Sequence, residues 1–148
     1  MHEIAELLDS KKTVTREHIL ALQEACFKNP AAHPPVRHFF SNGVYGRELF
    51  IPKGMCAVGK IHKHDQITVV VGDITIVTPG ATPRRITGYE TFSAPAGIKR
   101  AVRAHDDTFV TTFHSNPTDT QDQDELEAWL IAPSFEALDS VQTPEALT

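Results

Sequence analysis

The chain is poor in cysteine and has no concentration of positive charge. Its 148 residues include 2 cysteines, Cys26 and Cys56, too few and too far apart for a disulfide framework or a cysteine-built zinc site. Both are expected to act as small, buried apolar groups. The 14 lysines and arginines are outnumbered by 19 acidic residues, giving a net charge of −5, and they form no dense block. That balance leaves no general electrostatic footprint for nucleic acid. No apolar run is long enough to span a bilayer, and "MHEIAELLDSKK" lacks a basic start leading into a long apolar segment. A soluble, cytoplasmic protein with neither membrane nor nucleic-acid partners is expected. The length suits one domain with one sizeable core, and no internal repeat is evident.

Three segments are predicted. Residues 1–35 read as an N-terminal helical arm and a proline-rich connector. In "TVTREHILALQEACFKNP", Ile19, Leu22 and Cys26 recur at helical spacing behind a Thr15 cap, and Asn29-Pro30 stops the helix. The tract from Pro30 to Pro35 then imposes an extended connector. Residues 36–115 read as strands. Asn42-Gly43 in "VRHFFSNGVYGRELFIP" is a strong hairpin signal, Gly72-Asp73 reads as a second turn, and "TFVTTFHS" is a further alternating strand. Many short strands without intervening helices predict an antiparallel sandwich or barrel. Residues 116–148 read as a polar loop, a short helix on Leu126, Trp129 and Leu130 ended by Pro133, and a tail, "DSVQTPEALT", with little apolar reason to order.

The chemistry concentrates in "GKIHKHDQITVVVGDITIV", residues 59–77. Read as one strand, it puts Lys60, His62, His64, Gln66 and Thr68 on one face and Ile61, Ile67, Val69 and Val71 on the other. Such alternation also describes any half-solvated strand, so residue type must separate a site from a wet face. His62 and His64 are candidate ligands for a divalent transition metal such as zinc, nickel or iron. A third ligand could come from His105 or His114, although no spacing points to either. With Lys60 and Arg100, the same histidines would instead form a cationic interior that holds a carboxylate or phosphate. Lys99 could assist, and Glu90 could neutralise one charge. The alternative is a structural network of ion pairs.

"IPKGMCAVGKIHKHDQITVVVGDITIV" followed by "TFSAPAGIKRAV" resembles the two-motif core of the cupin superfamily. The resemblance covers residues from about 36 to 115, with the Gly54-to-Gly72 frame and the Pro95-x-Gly97 turn in the right order. It implies an all-β fold, an antiparallel double-stranded β-helix or jelly-roll barrel, here with a helical arm and a short C-terminal helix. In that family three histidines and a glutamate usually hold one divalent metal. With Gly54 leading, the paired positions fall on Lys60 and His62 and the glutamate position on Gln66. With His62 and His64 as the pair, the glutamate position falls near Thr68. Under both alignments the second-motif histidine is Arg100, whose guanidinium has no lone pair for a metal, and the asparagine position is Ala104. The metal site is degenerate on this resemblance.

Over the whole chain, "VRHFFSNGVYGRELFIPKG", "GDITIV", "SAPAGIKR" and "HDDTFVTTFHSNPTD" resemble small cupin-like proteins encoded by tailed bacteriophages and prophages. Three functions compete. The favoured one is a barrel binding a small anionic metabolite or signal through Lys60, His62, His64, Gln66 and Arg100, in the host cytoplasm if the protein is phage-encoded. The second is a metal-dependent isomerase or oxygenase using His62 and His64, and the third is a virion component. "HFF", Val44-Tyr45 and "LFI" supply surplus apolar strand surface, which predicts a homodimer or larger homo-oligomer.

Overall fold

The computed structural model describes residues 12–27 and 34–142. In chain order these form α1 (Arg16–Phe27), β1 (Val36–Ser41), β2 (Val44–Ile51), β3 (Cys56–Val58), β4 (Ile61–His62), β5 (Gln66–Val77), β6 (Arg84–Ala94), β7 (Ala101–Ala104), β8 (Thr108–Ser115), α2 (Gln123–Leu130), β9 (Ile131–Ala132) and α3 (Phe135–Gln142). Seven strands make one antiparallel sheet in the order β1-β2-β8-β5-β7-β3, with β6 along the other edge of β5, and β4 pairs with β9 in a second, two-stranded sheet. This is the jelly-roll barrel that the strand pattern predicts. The expected Asn42-Gly43 hairpin is present: Ser41 pairs with Val44, and Gly43 takes the positive φ of 72° that such a turn needs.

Gly72-Asp73, in contrast, is not a turn. Both residues lie inside β5, which runs unbroken from Gln66 to Val77 and pairs with β6 along its length. The chain reverses later, through residues 78–83. Gly72 marks the point where β5 changes partner, from β8 over residues 67–71 to β7 over residues 74–77. Its φ is 142°, and a Cβ there would lie 2.4 Å from Thr108 Oγ1 and 2.7 Å from the Asp107 carbonyl oxygen. Only glycine tolerates both demands. Opposite it in β6 stands Gly88, also at positive φ, 83°. The hairpin bends at this glycine pair, which folds one sheet into the two walls of a barrel.

A second correction concerns residues 59–77, which are not one strand. β4 ends at His62, the chain bends through Lys63 and His64, and β5 begins only at Gln66. The shared parity of His62, His64 and Gln66 is therefore lost. The bend is fixed by backbone bonds: Lys63 N–H donates to the Leu130 carbonyl at 2.8 Å, and Asp65 Oδ1 accepts from Ala96 N–H at 2.8 Å.

The main core lies at the bend end of the barrel, where Ile51, Ala57, Val70, Ile74, Ile76, Ile86 and Ala104 are buried together. Thr15 caps α1 as expected, its Oγ1 accepting from His18 N–H at 3.2 Å. Val14, Ile19 and Leu22 pack on Val77 and Ala101, so α1 covers the outside of the β3–β7 wall. Cys56 is half-buried beside this cluster. The Cys26 side chain, the Asn29-Pro30 stop and most of the proline-rich connector fall outside the described residues. α2 sits where Leu126, Trp129 and Leu130 place it, capped by Asp122, whose side chain accepts from Glu125 N–H at 3.0 Å. Beyond Pro133 the expected tail is instead partly ordered. Ser134 Oγ accepts from Ala137 N–H at 3.0 Å to open α3, and Leu138 packs on Ile61 and Ala132.

Gly72→Ala is expected to cost about 2–4 kcal/mol, combining backbone strain with overpacking against Thr108. At Gly80, where φ is 83° but nothing lies within 4 Å of an added Cβ, alanine should cost only about 1 kcal/mol. Urea denaturation of the two variants measures the difference, and equal losses would contradict the close approach at Gly72.

Candidate functional site

Strand alternation sets what the barrel encloses. On β2 the inward residues are Tyr45, Arg47, Leu49 and Ile51. On β8 they are His114, Thr112, Val110 and Thr108, which stand opposite them in register. On β5 Thr68 lies opposite Thr112 and Phe92, and Val70 opposite Val110 and Glu90. The interior thus has two ends. Leu49, Val70 and Val110 join the apolar core, while Arg47, Thr68, Thr112 and His114 make a polar end with Gln66, the first residue of β5.

β4 adds His62 to that end. It is held by the Pro95-x-Gly97 turn, where Gly97 N–H donates to the His62 carbonyl at 2.8 Å, and by pairing with Ile131 of β9. The same turn leads into Arg100, whose carbonyl accepts from Gly59 N–H at 2.8 Å. His62 and His114 meet face to face, their ring centroids 5.2 Å apart and their planes 4° from parallel. Tyr45 also stacks on His114, at 5.8 Å, and shares a 2.6 Å hydrogen bond with His38 Nδ1. Arg100 lies over the Phe92 ring, 5.0 Å from its centroid.

These groups lack partners. His62 Nδ1, His114 Nδ1, Gln66 Oε1, Thr68 Oγ1 and Arg100 Nε are buried polar atoms with no hydrogen-bond partner among the described residues. His114 Nε2 does have one, Thr112 Oγ1 at 2.8 Å. Neither Arg47 nor Arg100 forms an ion pair among the described residues, and burial lowers the pKa of both. His62 is pushed down to about 3, first by burial and then by His114, Arg47 and Arg100. His114 is pushed down to about 4, by burial and then by Arg47 and His64. Both imidazoles are therefore neutral near pH 7, and the positive charge resides on the guanidinium groups.

The other residues singled out in the sequence lie nearer the surface. Lys60 forms an ion pair with Glu127 of α2. His64 stacks on Trp129 at 4.2 Å, and its Nε2 donates to the Trp129 carbonyl at 3.0 Å. Lys99 is buried, with its pKa lowered by burial and by Lys60. Glu90 pairs with Arg84 rather than Arg100. His105 is tied to Thr75 at 2.7 Å, on the second half of β5. Arg47, which the sequence reading passed over, was accessible to it: Tyr45, Arg47, Leu49 and Ile51 alternate on one face of β2 as regularly as residues 66–70 do on β5.

No family model matches the chain, and no curated protein does. Solved structures do. A recombinant oxalate oxidase in complex with glycolate superposes with a TM-score of 0.50 at 20% identity, over 60% of this chain and 55% of that one. KdgF from Halomonas sp. gives 0.46 at 21% identity, over 59% and 79% of the two chains. A cupin superfamily protein from Desulfitobacterium hafniense gives 0.45 at 12% identity, over 55% and 77%. The fold is that of the cupins. At these identities the likeness concerns the cupin architecture alone, and this chain spans little more than half the length of the oxalate oxidase.

The residues present do not fit the metal commonly held in cupin barrels. Among the described residues no three His, Cys, Asp or Glu side chains converge. The parallel rings of His62 and His114 keep their nitrogens in separate planes rather than aiming them at one point. Arg47 and Arg100 both act on His62 as positive charges, which opposes a dication.

The lowered histidine pKa values predict an acid-labile protein. Above the unfolded-state value of 6.5 the two rings bind no protons in either state, and stability is fully present. As pH falls below 6.5 the unfolded chain takes up protons that folded His62 and His114 refuse, so stability drops until pH approaches 4 and then 3. Nitrogen-resolved NMR should show both rings neutral at pH 5, alongside a melting temperature that falls between pH 7 and 4. Titration of both rings near 6.5 would contradict their burial.

Proposed function

We propose that this cupin barrel binds a small anion, a metabolite or signal bearing a carboxylate or phosphate, at the polar end of its interior. The observation that carries the reading is the pair of half-buried guanidinium groups, Arg47 and Arg100, which both act on His62 and form no ion pair among the described residues, the negative charge felt by Arg47 being Glu127 of α2, which pairs with Lys60. A buried charge is strongly disfavoured unless a counter-charge and hydrogen bonds meet it. An anion supplies both, and the planar fork of arginine suits carboxylate and phosphate oxygens.

The remaining unpartnered atoms add specificity. Gln66 Oε1 accepts hydrogen bonds and the Thr68 hydroxyl can donate or accept, so a ligand with hydroxyl or amine donors would satisfy both. Neutral His62 and His114 offer a flat aromatic wall, continued by Tyr45. Lys60 and His64 stand at the rim with α2, where they would attract the anion rather than hold it. For the metal-dependent isomerase or oxygenase reading, no set of three His, Cys, Asp or Glu donors converges among the described residues. On the resemblance to phage proteins, the ligand would be a host compound met in the bacterial cytoplasm. No helix among the described residues is long and apolar enough to cross a membrane.

Titration calorimetry of the full chain against inorganic phosphate, short mono- and dicarboxylates and uncharged polyols tests the reading. Anions should bind and polyols should not. Arg100→Ala and Arg47→Ala should each weaken anion binding about 10- to 100-fold, as loss of a charged hydrogen bond of about 1.5–3 kcal/mol requires. Equal binding of polyols, or anion binding indifferent to both arginines, would overturn the proposal.

A further inference from the structure

Outside the barrel, the Asn42-Gly43 hairpin meets the loop that leads from β8 to α2. Two hydrogen bonds clamp them together: Asn116 N–H donates to the Gly43 carbonyl at 2.9 Å, and Gly43 N–H donates to Asp119 Oδ1 at 2.5 Å. A pocket of about 150 Å³ lies at this junction, lined by Phe40, Ser41, Asn42, Asn116, Asp119 and Gln121. Phe40, which stacks on Tyr45 at 5.3 Å, is its apolar member. The rest of the lining is hydroxyl, amide and carboxylate, and no lysine, arginine or histidine is part of it.

Asn116 distinguishes this pocket from an ordinary wet loop. It is only 1% exposed, and its Nδ2 donates to the Thr120 carbonyl at 3.0 Å. Its Oδ1 is buried with no hydrogen-bond partner among the described residues. With Nδ2 committed to Thr120, Oδ1 is the polar atom this side chain has left to offer. A buried acceptor without a donor or a positive charge is disfavoured, so a group from outside the chain is needed to meet it. Asp119 stands beside it at a φ of 52°, a left-handed conformation that aspartate tolerates better than most residues. Gly43 N–H occupies its Oδ1, which leaves Oδ2 for a ligand.

We infer that this pocket is a calcium site, with Asn116 Oδ1 and the Asp119 carboxylate as its central ligands and Ser41, Asn42 and Gln121 adding oxygens from the rim. The chemistry of the lining selects a hard cation. Every polar side chain there can present an oxygen, and calcium takes six to eight oxygen ligands from carboxylates, amides and water in flexible geometry. An anion would face a carboxylate and an unsatisfied carbonyl. An organic ligand of ordinary size needs roughly 300 Å³ or more, whereas about 150 Å³ suits an ion with a few coordinated waters of about 30 Å³ each. The surroundings favour positive charge as well, because residues 115–130 contain Asp119, Asp122, Asp124, Glu125 and Glu127 and no lysine or arginine. Acidity alone would describe a solvated segment; the buried oxygen of Asn116 is what makes a site of it. The site lies on the outside of the barrel and shares no residue with the proposed anion site.

Trp129, the single tryptophan, donates from Nε1 to the Ser115 carbonyl at 3.0 Å, next to Asn116, so its fluorescence reports on this loop. Calcium titration of the full chain in potassium chloride, followed by that fluorescence and by calorimetry, should give a dissociation constant of about 0.1–1 mM, as suits a site with one carboxylate. Calcium at about ten times that value should raise the melting temperature by about 5 °C. Magnesium, which demands stricter geometry and gives up water reluctantly, should bind about 10-fold more weakly or worse. Asp119→Asn keeps an acceptor for Gly43 N–H and tolerates the positive φ, so it should leave the calcium-free melting temperature unchanged while calcium affinity falls about 10-fold or more. Asp124→Asn removes the same charge from the same segment outside the pocket, and affinity should stay within about twofold. Absence of calcium binding, as when ordered water alone satisfies Asn116, overturns the inference. Equal losses in the two variants, which would mark diffuse attraction to the acidic segment, or equal affinity for magnesium, overturn it as well.

Discussion

The barrel depends on the close approach at Gly72. There β5 gives up β8 and takes β7, with Thr108 and Asp107 pressed where any side chain would stand. If this point stayed open, β5 and β6 would continue as a flat hairpin and the two walls would not face each other. The walls must face for Ile74, Ile86 and Ala104 to meet Ile51 and Val70 in one core. They must also face for Arg100, which follows the Pro95-x-Gly97 turn, to come near His62 and Phe92. Backbone geometry at one residue therefore positions both the core and the polar cluster. A glycine at positive φ is what that geometry selects.

The start and end of the β body were legible in the sequence because their signals are local. Asn42-Gly43 demands positive φ between strands, and Thr15 offers a cap oxygen at the right offset from α1. The same local logic failed at Gly72-Asp73, because a glycine that ends a strand and one that bends it look alike until the approaching segment is known. That segment, Asp107-Thr108, lies 35 residues downstream of Asp73. The histidine stretch failed for a related reason. Alternation from Lys60 to Thr68 presumes an unbroken strand, and the break at Lys63 and His64 comes from hydrogen bonds to Ala96 and Leu130, both distant in sequence.

Consequently the cluster was half legible. His62, Gln66 and Arg100 lie in or beside the polar end, and Thr68 joins them. Lys60 and His64 are drawn instead to α2, by Glu127 and Trp129. Arg47 and His114 arrive from β2 and β8, strands far from the motif in sequence but adjacent to each other in the sheet. Pairing Tyr45 with His114 and Arg47 with Thr112 is a statement about register, which a single sequence does not disclose. The second core, Val14, Ile19 and Leu22 against Val77 and Ala101, was visible as helical spacing on one side only, because its other half belongs to the outward face of β5 and β7.

The wall β1-β2-β8-β5-β6 is unusual in its polarity, and the proposed function rests on that. A sheet with one face in water normally turns apolar residues inward and polar residues outward. At the polar end of this wall the order is reversed: Arg47, Thr68, Thr112 and His114 point in, while Phe39, Phe113 and Ile67 point out. Since the side-chain period is two, no shift of register repairs this without turning Leu49, Val70 and Val110 out of the core at the same time. The inverted rows are thus held in place by the apolar core further along the same strands. The result leaves Arg100 Nε and the Thr68 hydroxyl without partners inside and phenyl rings partly wet outside, two separate costs. An anion within removes the first and leaves the second untouched.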